Sequence, residues 1–234
     1  MAEHKSFTFE LQLLDNASIY NKLDSIANSL LEKNFEMVRY NELTLGEKVN
    51  FFKKDIKEGR SIAFSKNFKF YVSIAIGDDA TKVAALRIQS FEPLLRIDAD
   101  EEIKEDGKKV SKNWEIFIEA IKIFLDVAGE NADVGYCDND MSLMAFHEDF
   151  GFVLPIEKND FLKTEFIWLF FLGKKRISSF NKKVWQSVPS WRKEFLKNGI
   201  LIYNGPTPGE SYPNPPYTRK VVAEYFQHIL EAKK

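Results

Sequence analysis

The sequence predicts an α+β fold: a mainly antiparallel sheet with helices packed on it. Three observations carry this. Apolar residues recur at helical spacing through the first sixty positions. The period then changes to that of strands, with turn residues between them. The most apolar run, Phe166–Leu172, is seven residues long without a charge, which suits a strand buried on both faces.

Taken in order, Ile19, Leu23, Ile26 and Leu30 mark one face of a helix from Ala17 to about Lys33, with Asn16 as its cap. Thr44-Leu45-Gly46-Glu47 is a capping-box pattern. It opens a second helix with Leu45, Val49, Phe52 and Ile56 on one side and Gly59 at its end. Phe68–Ile76 and Val83–Gln89, separated by GDDAT, read as an antiparallel hairpin, and Leu94–Asp98 as a further strand. Ser111 caps a strong helix, Asn113–Ala128, with a broad apolar face from Trp114 to Leu125 and Gly129 as its stop. Ala132–Cys137 reads as a short strand. Trp191–Leu196 and Ile200–Tyr203 flank Lys197-Asn198-Gly199, which reads as a hairpin with Asn-Gly in a type I′ turn. A Pro/Gly loop and a final helix, about Tyr217–Ala232, complete the chain. No linker divides it, so 1–234 reads as one α+β domain. Two similar α+β halves, 1–130 and 131–234, are the alternative division, since 68–128 and 165–232 both run from strands into a helix.

Composition narrows the function. The single cysteine, Cys137, excludes an internal disulfide. The N-terminus carries no apolar signal-peptide core, and Phe166–Leu172 is far short of the roughly 20 residues that span a membrane. A cytoplasmic protein is expected. Residues 1–150 hold 19 basic against 28 acidic side chains, and residues 151–203 hold 10 against 4. Such asymmetry suits an acidic and a basic face, or two halves that attract each other.

Motifs of catalysis are sparse. Asp138, Asp140, His147 and Glu148 supply an acid–base set for a small-molecule enzyme if they converge in one pocket. Cys137 with His147 lacks the signatures of cysteine hydrolases, and reads more simply as a small buried hydrophobe. The three histidines are scattered, CxxC pairs are absent, and no phosphate-binding glycine motif occurs. No metal or cofactor is expected, and a non-catalytic role is favoured. The acidic run Asp98, Asp100, Glu101, Glu102, Glu105 and Asp106 departs from the calcium-loop pattern. It reads as a solvated loop or as a docking patch for a basic protein partner. Lys174, Lys175, Arg176, Lys182 and Lys183 near Trp185 could hold phosphates, but read more simply as solvated ends of elements. The chain's overall acidity disfavours nucleic acid. Pro215-Pro216-Tyr217 resembles a WW-module ligand, but prolines opening a helix explain it better.

The order FIWLFFLGKKRISSF, VWQSVPSWRKEF, KNGILIYNGPTP resembles bacterial immunity proteins of polymorphic and type VI toxin systems over roughly Glu165 to Pro208. This chain has Lys174 after Gly173 where those proteins would carry proline. The resemblance implies a cytoplasmic, non-catalytic protein that blocks a toxin by covering its active site. It carries over no individual functional residue.

Overall fold

The computed structural model describes residues 4–38, 42–66, 70–76, 83–91, 112–139, 169–178, 180–204, 224–225 and 227–229. The predicted α+β fold is present. Among the described residues, nine strands form one antiparallel sheet in the order β2-β3-β4-β5-β1-β6-β7-β9-β8. They are β1 His4–Leu13, β2 Glu36–Met37, β3 Ile62–Lys66, β4 Phe70–Ile76, β5 Val83–Phe91, β6 Ala132–Asn139, β7 Leu169–Gly173, β8 Arg192–Leu196 and β9 Gly199–Tyr203. The helices are α1 Asn16–Tyr20, α2 Leu23–Glu32, α3 Leu45–Lys57, α4 Lys112–Ala128, α5 Lys174–Ser178 and α6 Lys182–Ser187.

The centre of the sheet is β1, which pairs with β5 on one side and β6 on the other. Phe7, Phe9, Leu11 and Leu13 alternate along it and are all buried. They belong to the larger core with Ile19, Leu23, Ile26 and Leu30 of α1–α2 and Phe52 and Ile56 of α3. Helix α4 buries one broad face, through Trp114, Phe117, Ile118, Ile121, Phe124 and Leu125. At about 1.5–3 kcal/mol for each large side chain removed from water, this helix is a main source of stability.

The sheet curls around α4. Lys66 of β3 pairs with Glu119, while Arg192 of β8 pairs with Glu115 at 2.7 Å. β3 and β8 stand seven strand steps apart, roughly 34 Å in a flat sheet. Their ion-pair partners lie only one turn apart on α4, about 6 Å. A twisted, curved sheet is required to bring β3 and β8 to one helix.

The other face of the sheet carries a second, smaller core. Val134, Tyr136, Phe170, Leu172, Ile200 and Ile202 meet Phe180, Trp185 and Val188 from the α5–α6 segment. The apolar run is therefore split between two cores as expected: Leu169 and Phe171 face the first, Phe170 and Leu172 the second. Phe166–Trp168 lie outside the described residues.

Several local expectations are corrected. The first helix is two, broken at Asn21-Lys22, and its cap is Asp15, whose carboxylate accepts from the Ala17 and Ser18 N–H groups at 2.9 and 3.1 Å. Leu45 is 58% exposed, because it overhangs the start of α3. The β8–β9 hairpin turns at Lys197-Asn198, since Leu196 pairs with Gly199, and neither turn residue has positive φ. Gly199 is needed for closeness instead: a Cβ there would lie 2.2 Å from the Leu172 carbonyl oxygen. Asn198 is held by its side chain, whose Nδ2 donates to the carbonyls of Leu125 and Gly129 at the end of α4.

Candidate partner-binding surface

The acidic run Asp98, Asp100, Glu101, Glu102, Glu105 and Asp106 lies outside the described residues, as do Asp140, His147 and Glu148. Asp138 is described through its backbone, opposite Thr8 on β1. Cys137 is fully buried beneath the larger core. Among the described residues no group of three or more His, Cys, Asp or Glu could hold a metal. No described helix is long and apolar enough to cross a membrane.

The basic run after β7 divides. Lys174 reaches Glu130 at 3.0 Å. Arg176 turns back onto buried Asp133 in a two-pronged pair, Nε to Oδ1 at 2.8 Å and a terminal nitrogen to Oδ2 at 2.7 Å. Gln12 of β1 also approaches Asp133 Oδ2, at 3.4 Å. This pair pins α5 to the sheet. Lys182 and Lys183 begin α6 and are exposed.

A second charged group crosses from α4 to the β8 edge. Lys122 and Arg192 flank Glu194, and the Tyr203 hydroxyl donates to Glu194 at 3.1 Å. Burial pushes the Glu194 carboxyl upward, but Lys122, Arg192 and the Tyr203 hydroxyl outweigh it and hold it below the ordinary value. Burial, reinforced by Glu194, pushes the Tyr203 phenol up. Tyr136 is raised in the same way, by burial and then by Glu10, to which it donates at 2.7 Å. Lys122, Arg192, Glu194 and the Tyr203 hydroxyl bind one another and tie α4 to the hairpin. The groove they border, lined by Glu115, Ile116, Glu119 and Lys122, is open and shallow.

Apolar side chains reach solvent at Val38, Leu45, Phe51 and Phe195. Phe195 is 52% exposed, on the strand that ends the sheet. Its neighbour Lys193 is folded away: its ammonium donates to the carbonyls of Gln186 and Val188 at the end of α6. Sequence reasoning placed β8 in a hairpin without placing it at an edge, because strand order depends on contacts far apart in the chain.

No family model and no curated protein matches the chain. Among solved structures it is similar to a Pseudomonas aeruginosa T6SS protein, at 11% identity and a TM-score of 0.46, over 96% of this chain and 72% of the other.

Proposed function

We propose that this chain is a non-catalytic protein-binding module, an immunity protein that acts in the cytoplasm by covering the active site of a toxin domain. The observation that carries the reading is half-exposed Phe195 on β8, the strand that ends the sheet among the described residues, a surface suited to contact with another protein. This strand belongs to the stretch that resembles immunity proteins. In the structure that stretch contains β7, α5, α6, β8 and β9. The acidic run from Asp98 to Asp106 supplies long-range attraction for a basic toxin surface.

The test is co-purification with the toxin domain encoded beside this chain, at low and high salt. A stable complex whose association slows as salt rises is expected. The absence of a neighbouring toxin gene, or of any complex at low salt, would overturn the reading.

A further inference from the structure

We infer that the partner docks on the outer side of α6 and on the Phe195 ring, through an acidic surface with an apolar notch. The inference rests on the binding role proposed above and names the chemistry of the partner's contact patch.

Strand alternation places the parts. The cross-strand neighbours of Lys193 and Phe195 are Ile202 and Ile200, and both belong to the smaller core. Lys193 and Phe195 therefore point to the face of the sheet that carries α6. The Lys193 ammonium donates to the Val188 carbonyl at 3.0 Å and to the Gln186 carbonyl, which joins β8 to the end of α6. Phe195 stands two residues further, about 7 Å along the strand. Glu194 takes the opposite face, where Lys122 holds it.

Charge separates the used cations from the spare ones. From Leu169 to Asn204 the chain holds eight basic side chains and one acidic, Glu194. Arg176 is committed to Asp133, Lys174 to Glu130, and Arg192 to Glu115 and Glu194. Lys182, Lys183 and Lys197 are exposed, and no acidic side chain among the described residues pairs with them. The described C-terminal segment adds one acidic residue, Glu224, next to Tyr225. The surplus on this side stays positive.

An aromatic anchor beside exposed lysines suits one kind of contact. The half-exposed ring supplies the apolar centre, and the lysines around it set the sign and the rate of approach. Exposed Gln186 and Ser187 on α6 add polar groups to the same side. The complementary patch is acidic and receives the ring. Its sign is opposite to that of the toxin surface attracted by the acidic run, so the toxin domain carries a basic and an acidic face.

The experiment measures affinity and association rate of the full chain for the neighbouring toxin domain. Phe195→Ser removes the anchor at an exposed position and is expected to weaken binding by about 10-fold or more, mainly through faster dissociation. Lys182→Glu with Lys183→Glu is expected to slow association, whereas Lys182→Arg with Lys183→Arg keeps it.

Unchanged affinity of a folded Phe195→Ser chain would overturn the anchor while leaving the binding role intact. Unchanged or faster association by the Glu double variant would overturn the acidic character of the patch. Failure of the intact chain to bind would overturn both the inference and the reading beneath it. Should Phe195→Ser not fold, hydroxyl-radical footprinting of the intact chain decides. Oxidation of Phe195 falls when the toxin domain is bound if the ring is an anchor, and an unchanged rate overturns it.

Discussion

The two arms of the sheet follow one layout and are held by different means. In the N-terminal arm, β1 leads into α2 and α3, and the chain returns through β3, β4 and β5 to pair beside β1. In the C-terminal arm, β7 leads into α5 and α6, and the chain returns through β8 and β9 to pair beside β7. Both leading strands run antiparallel to β6 and so point the same way. The helices lie on opposite faces of the sheet, α2 and α3 with the larger core and α5–α6 with the smaller.

Helix length separates the arms. α2 and α3 have 10 and 13 residues, with amphipathic faces, and α3 carries a complete capping box. α5 and α6 have five and six residues, too few for helices to be stable by themselves. Specific side-chain bonds hold them instead. Trp185 Nε1 donates to the Ile177 carbonyl at 2.8 Å, Arg176 grips Asp133, and the Tyr225 hydroxyl donates to the Val184 carbonyl at 2.7 Å. The lesson is that the N-terminal arm is stabilised mostly by apolar area, the C-terminal arm by a few polar anchors around a smaller core.

The largest predicted effect lies where the two cores share a strand. Leu169→Asp places an unpaired charge at a fully buried site and should abolish cooperative unfolding in thermal melts followed by circular dichroism. A soluble variant that melts cooperatively would contradict the shared-core description. Next is Asp133→Ala. It leaves Arg176, only 17% exposed, without its carboxylate, and should cost about 3–5 kcal/mol in urea unfolding. Loss of protection in α5 and α6 should exceed that in α2 and α3, as read by hydrogen exchange.

Smaller effects sharpen the contrast. Trp185→Phe removes one anchoring hydrogen bond and should cost about 1 kcal/mol, with α5–α6 loosened first. Thr44→Ala removes the cap of α3 and should cost about 1 kcal/mol, felt in the N-terminal arm. Equal loosening of both arms by either substitution would erase the distinction.

The pH dependence should be modest and two-sided. The Glu194 carboxyl is lowered from 4.5, so its contribution is present above that value and is lost as pH falls through the folded value. The Tyr136 and Tyr203 phenols are raised from 10.0, so their contribution is complete below that value and is lost as pH rises toward the folded values. Glu194→Gln should flatten the acid side of the stability profile, and Tyr203→Phe the alkaline side.

Legibility in the sequence follows the same division. α3 could be read directly, because Thr44, Glu47 and Gly59 act locally. α4 could be read from its run of large apolar residues, although not that the sheet wraps it. β1 was the missed central strand. Its signal, Phe7, Phe9, Leu11 and Leu13 at alternate positions, was present but interrupted by Thr8, Glu10 and Gln12, which occupy the other face. α5 and α6 carried no sequence signal of helical length, because their stability comes in part from Asp133 and Tyr225, distant in the chain. The hairpin was read correctly but its turn was displaced by one residue. Asn198 is committed to the end of α4, and Gly199 to its close approach to Leu172. Of the surface proposed to bind a partner, Phe195 was visible only as one apolar residue in a strand. Its exposure is a property of strand order.

The most direct test of the central claim is a toxicity assay. The neighbouring toxin domain is expressed in a bacterial host with and without this chain, and growth is followed. The account predicts that the intact chain restores growth. A toxin that kills equally in the presence of abundant, folded intact chain would contradict it.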